Sequence, residues 1–262
     1  WNYTKSVWDQ VGVSLEAVSL QREYWDQVVS YLIEEAREGR TPNPDIMCNS
    51  RIKFGMFYDY VGKHFKRVAT GHYARVERDA ATGLVHLMRS PDLVKDQTYF
   101  LSNLKQSQLS NAMFPIGELE KSRVRELASE YDLPTQSRKD SQGICFLGKL
   151  KFEDFVGHHL GENRGPVVDY HSGEVLGEHK GLWFHTVGQR KGLGEACRLH
   201  THRGPWYVAA KDFASNTVFV SNQYDSIDAP RSNFNIENIN WIPGACPEGE
   251  EMELDIKCRH GA

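Results

Sequence analysis

The feature that most constrains this chain is a change of texture at Gly165. Before it, long stretches carry apolar residues at helical spacing. Residues 21 to 40 place Tyr24, Trp25, Val28, Val29, Leu32, Ile33 and Ala36 on one helix face. Residues 118 to 133 repeat the pattern with Leu119, Val124, Leu127, Ala128 and Tyr131, and Pro134 follows. Shorter helices are expected over 52–61, 104–111 and 152–160. Short strand-like runs lie between them at 15–20, 67–70 and 84–89. From Gly165, runs of four or five residues (165–169, 174–177, 183–187, 206–210, 217–221 and 253–257) alternate with Gly, Pro, Asn and Asp turns, which is an all-β pattern. The expectation is an α/β part over 1–113, a small mixed α+β centre over 114–203 opening at Phe114-Pro115, and an incomplete C-terminal β-barrel over 204–262.

Composition narrows the function classes. The 262 residues carry a formal charge of −4, which argues against a charge-driven, non-specific nucleic-acid binder and leaves room for a local basic surface. No apolar run approaches the roughly 20 residues of a membrane span, so no membrane partner is expected. The five cysteines (48, 145, 197, 246 and 258) lack a C-x-x-C pair, so a zinc ribbon and a thioredoxin motif are disfavoured and no metal site is expected. Reactive thiols in a reducing compartment fit better. His158-His159 and His200/His202 read as surface residues, and Cys197, Cys246 and Cys258 as small buried or surface thiols. The basic run Gly188 to Gly194 lacks the spacing of a Walker loop and reads as a flexible loop.

Two motifs carry the candidate chemistry. Thr41 to Asn49 reads T-P-N-P-D-I-M-C-N. Its two prolines restrict the backbone, so a stiff loop presenting Asp45 and Cys48 is expected; an ordinary helix-to-helix connection with an incidental Cys fits this segment alone equally well. Lys139 to Gly148 reads K-D-S-Q-G-I-C-F-L-G and holds Cys145 between two glycines. Residues 67–73, R-V-A-T-G-H-Y, read as a buried strand ending at Gly71-His72, where α/β sheets bind ligands; by itself His72 reads as a satisfied turn histidine.

These motifs, with K-D-Q-T-Y-F-L, F-P-x-G-E-L-E-K and H-T-V-G-Q-R-K-G-L-G in this order, closely resemble the tRNA-specific 2-thiouridylases, from about Tyr24 to His260. The resemblance implies a partial adenine-nucleotide alpha hydrolase-like (PP-loop) domain. It also implies ATP-dependent, Mg-assisted adenylation of the C2 oxygen of the wobble uridine, followed by sulfur transfer. The family's sulfur carrier falls on Cys145, loaded as a persulfide by an upstream sulfur-carrier protein, and its second thiol on Cys48, which releases the sulfur or closes a Cys48–Cys145 disulfide. Both would act as thiolates, below the free value of about 8.5. Asp45 is near enough to move protons on the base. Target-base contacts fall on Asn43, Pro44 and Asp45. Contacts to the tRNA anticodon stem-loop fall on His72, Lys95, Asp96, Gln97, Arg259 and His260. Gly71 is the one ATP contact that carries over, because the S-G-G-x-D-S-S phosphate loop of the family does not occur here. On that ground the chain is expected to be an internal fragment, inactive alone. It would act in the cytoplasm if bacterial, or in a mitochondrion or plastid if eukaryotic. Rival readings are an inactive tRNA-binding fragment, another adenylating PP-loop enzyme acting on a small molecule, and, least supported, a Cys–His hydrolase.

Overall fold

The structure, a computed structural model, describes residues 1–138, 152–223, 233, 235–249 and 251–256. It sorts into two compact units. The first joins Trp1–Val28, Pro44–Gln142 and Asn238–Ala262; the second joins Val29–Asn43 and Gly143–Glu237. The described strands are β1 (Val68–Ala69), β2 (Ala74–Arg78), β3 (Val85–Arg89), β4 (Ala112–Met113), β5 (Gly165–Asp169), β6 (Val175–His179), β7 (Tyr207–Asp212) and β8 (Thr217–Ser221).

In the first unit β1 pairs in parallel with β4, Val68 opposite Ala112, and β2 and β3 form an antiparallel hairpin. Phe54, Val68, Ala74, Val85, Leu101, Leu104, Leu109, Ala112 and Phe114 build one buried cluster between these strands and the helices. The short helix Gln106–Leu109 docks through a side chain. The Gln106 carboxamide accepts from Val85 N–H at 3.0 Å and donates to Val85 C=O at 2.7 Å, completing a peptide-like pair.

The second unit is built on a four-stranded sheet in the order β6-β5-β8-β7, with β5 and β8 parallel and the other pairs antiparallel. Val167, Leu176, Trp206, Val208, Val218 and Val220 face the helix Gly194–Arg198 and bury Ala196 and Cys197. Gly177 permits that approach, since a Cβ there would lie 2.7 Å from the Ala196 Cβ. Burial pushes the Cys197 thiol up to about 11, so it is a core residue. The sheet takes two strands from each side of Gly204, so it does not break where the second boundary was expected.

Several expected elements differ. Residues 15–20 and 251–256 form no strand, and a short apolar run with no ladder partner among the described residues has nothing to hold it extended. Residues 183–187 give a 3₁₀ turn, Leu182–Phe184, in place of a strand. The helix Asn2–Val11 is an element that apolar spacing alone did not signal. The helix expected over 118–133 is Lys121–Glu130, and Asp132 then turns left-handed at φ 47°. The Gly188 loop is pinned along β7: Gly188 N–H donates to Val208 C=O at 2.8 Å, and Val208 N–H to Gln189 C=O at 3.0 Å. None of the helices among the described residues is long and apolar enough to cross a membrane.

Candidate active site around Cys48

The expected stiff loop is a helix. Pro44–Met47 is α-helical and Cys48–Met56 continues it as a π-helix. Proline at the first helical position costs nothing, because its missing N–H has no acceptor there and its φ is preset. Asp45 lies in the first turn, where a carboxylate complements the helix dipole. Its Oδ1 is buried with no hydrogen-bond partner among the described residues, which leaves one acceptor uncommitted. Cys48, one turn on, is fully buried.

Polar side chains fix the two residues after Cys48. Asn49 is buried and donates through Nδ2 to Phe100 C=O at 2.9 Å, while its Oδ1 accepts from Lys53 Nζ at 2.9 Å. Ser50 is also buried. Its hydroxyl donates to Ile46 C=O at 3.0 Å and accepts from Asn103 Nδ2 at 3.2 Å. Sequence reasoning missed Asn49, Ser50, Asn103 and Gln108. The available signal was the Asn-Ser pair inside a helical window, where such residues are favoured only if their side chains find partners.

Gly71 lies two residues beyond the end of β1 and is exposed. A Cβ there would meet nothing within 4 Å, so the backbone is open to a phosphate. His72 is half-buried against the edge of Phe114, ring centroids 6.0 Å apart, with Nδ1 2.7 Å from Thr70 Oγ1. Burial, aided by the positive charge of Lys53, pushes its pKa down to about 4. His72 is therefore a neutral imidazole at physiological pH.

Lys95, Asp96 and Gln97 sit in the turn leading to the 3₁₀ helix Thr98–Leu101. Asp96 is engaged internally: Oδ2 accepts from Thr98 Oγ1 at 2.7 Å and Oδ1 from Ser90 N–H at 3.3 Å. Gln97 brackets Tyr73, accepting its N–H at 3.0 Å through Oε1 and donating its own N–H to Tyr73 C=O at 2.9 Å. Gln97 thus joins the residue after Gly71-His72 to the turn carrying Lys95, and Asp96 ties that turn to Ser90 at the end of β3. Asn43 ends a segment of the second unit and Pro44 starts the next segment of the first. Cys145, Arg259 and His260 lie outside the described residues. Among the described residues, no cluster of three or more His, Cys, Asp or Glu has metal-binding geometry.

Two family models match the chain: a tRNA methyl transferase HUP domain over residues 1–149 and a tRNA methyl transferase PRC-barrel domain over residues 153–222. A HUP domain is an α/β nucleotide-binding fold, in keeping with the expected class. The chain is 47% identical over 251 residues to a tRNA-specific 2-thiouridylase of Bacteroides fragilis, covering 95% of this chain and 69% of that protein. It is 47% identical over 252 residues to one of Parabacteroides distasonis, covering 95% and 68%. One of Porphyromonas gingivalis is 50% identical over 214 residues, covering 82% and 57%. On these matches the chain belongs to the tRNA-specific 2-thiouridylase family.

Proposed function

We propose that this chain takes part in the ATP-dependent 2-thiolation of the wobble uridine of tRNA, with Cys145 carrying sulfur and Cys48 releasing it. The observation that carries the reading is the Cys48 helix: a buried thiol, a carboxylate one turn ahead with an oxygen that has no partner among the described residues, and a hydrogen-bonded frame on the two residues that follow the thiol. Bound ATP would supply an adenylyl group to the uridine C2 oxygen with loss of pyrophosphate, so that a poor leaving group departs as AMP. Gly71, with open space above its backbone, is the residue suited to a phosphate of ATP, and Mg²⁺ would accompany the nucleotide. A sulfur-carrier protein supplies the Cys145 persulfide. The Cys48 thiolate attacks the inner sulfur of that persulfide, forms a Cys48–Cys145 disulfide and expels hydrosulfide. Hydrosulfide adds at C2 and displaces AMP, and an external thiol returns the disulfide to two thiols by a two-electron reduction. Asp45 takes and returns the proton on the base. The wobble base must leave its stack to expose C2. Asn43, Pro44 and Asp45 would receive it, while His72, Lys95, Asp96, Gln97, Arg259 and His260 contact the stem-loop.

The test is loading with a persulfide donor followed by transfer to anticodon stem-loop RNA. Cys145→Ser should abolish loading and thiolation. Cys48→Ser should keep one extra sulfur on the Cys145 peptide and lose turnover. Loss of loading in Cys48→Ser alone would exchange the two roles. RNA binding without sulfur transfer by the intact protein would favour an inactive binding module, and adenylation of a small molecule the other adenylating reading.

A further inference from the structure

The segment that carries Cys48 has an unusual register. Phe57 N–H donates to Ile52 C=O, five residues back, and the whole stretch Cys48–Met56 is wound this way. Wide turns of this kind are rare and favour functional sites, because they cost hydrogen-bond geometry and packing. Something outside the helix must hold nine residues in it.

Gln108 does so with every polar atom it has. Its Nε2 donates to Ser50 C=O at 2.6 Å and to Phe54 C=O at 3.1 Å, and its Oε1 accepts from Lys105 N–H at 3.0 Å. The two carbonyls lie one turn apart on the π segment, and one carboxamide spans them. Gly55 makes room on the same side, since a Cβ there would sit 3.0 Å from Ser50 C=O. Asn103 and Phe100 grip Ser50 and Asn49 alongside. Gain or loss of one residue in register swings a helical side chain by about 100°. The direction of the Cys48 thiol thus depends on a bond made 60 residues later in the chain.

We propose that Gln108 is a positioning residue for Cys48: it locks the π register that buries and aims the thiol. The functional weight of this lock rests on the reading of Cys48 as the sulfur-releasing thiol; its mechanical part does not. Gln106 supplies the control, because it sits on the same short helix and ties it down with an equal pair of bonds, but to Val85 in β3.

The experiment compares Gln108→Met with Gln106→Met in the whole chain. Iodoacetamide labelling of the Cys48 peptide is followed by mass spectrometry across pH, with amide hydrogen exchange over residues 51–57 and urea midpoints alongside. Gln108→Met should label Cys48 at least about tenfold faster than wild type, since a buried thiol reacts through local opening and the loss of both bonds, to Ser50 and to Phe54, favours that opening by at least this factor. Gln106→Met, at a similar urea midpoint, should label at the wild-type rate. In the thiolation assay Gln108→Met should lower kcat and leave KM for RNA unchanged. Equal labelling of the two variants, or wild-type labelling and exchange in Gln108→Met, overturns the lock. If labelling behaves as expected while wild type shows no sulfur transfer, the lock stands and the functional reading falls.

Discussion

Replacing His72 with glutamine should leave the salt dependence of RNA binding where it is. His72 has a pKa of about 4, because burial penalises the imidazolium and Lys53 repels it. At a pH of about 7.5 roughly one molecule in three thousand carries a charge on this ring. A neutral ring releases no counterion, so its contact with RNA is a hydrogen bond or a stacking face. Each phosphate neutralised by a cation contributes about 0.9 to the slope of log K against log salt on a duplex, and about 0.7 on a single strand. His72→Gln should therefore weaken binding by about the same factor at every salt concentration. Lys95→Gln should reduce the slope by nearly one contact. The assay is fluorescence anisotropy with a labelled anticodon stem-loop, between about 50 and 200 mM salt. A slope in His72→Gln that falls as far as in Lys95→Gln would show that the ring is charged in the complex and refute the reasoning.

Three further outcomes concern the frame. Gly39 has φ +79°, and a Cβ there would lie 1.5 Å from Phe213 Cζ, whereas the same atom at Gly12, φ +72°, meets nothing within 4 Å. Gly39→Ala should cost about 2–4 kcal/mol and Gly12→Ala about 1, compared by melting temperature. Asp96→Ala removes the acceptor of Thr98 Oγ1 and Ser90 N–H and should cost about 1–3 kcal/mol by urea unfolding. In the second unit His185 is buried and its Nδ1 has no hydrogen-bond partner among the described residues; burial, then His179 and Lys211, hold its pKa at about 4 against the ordinary 6.5. The unfolded chain binds this proton more readily, so the stability is whole above about pH 6.5 and is lost as pH falls towards 4, by at most about 3 kcal/mol. His185→Phe should flatten that part of the pH profile; an unchanged profile would refute the assignment.

The sequence showed the strands β3, β5 and β8 and the helix Phe152–Leu160 nearly to the residue, because strong periodicity there coincides with real burial. Cys48 and Asp45 were legible as a pair because they are three apart in a distinctive motif. Their setting was misread. Pro42 and Pro44 suggested a loop, yet a proline that opens a helix gives the same local signal as one that forbids it. The buried state of Cys48 and the web through Asn49, Ser50 and Gln108 were invisible, because the partners come from residues 100–108, brought there by tertiary packing. The protonation of His72 was equally hidden: it depends on how deep the ring sits and on Lys53, 19 residues earlier. The run 206–210 was recognised as a strand, but its membership in one sheet with β5 and β6 is a long-range pairing that no local pattern encodes.

The interleaved make-up of the two units has a consequence for the chain during synthesis. The helix Ser30–Arg37 buries Leu32 and Ala36 and packs on the helix Phe152–Leu160 of its own unit, which leaves the ribosome more than a hundred residues later. At 5–20 residues per second that delay is roughly 5–25 s. Throughout it the apolar stripe of Leu32 and Ala36 lacks this cover, while the segment from Pro44 onward can already begin to condense around Leu101, Leu104 and Leu109. The nascent protein therefore carries a sticky, half-finished element tethered to a maturing one. It should be a preferred holdase client until the β-rich half emerges.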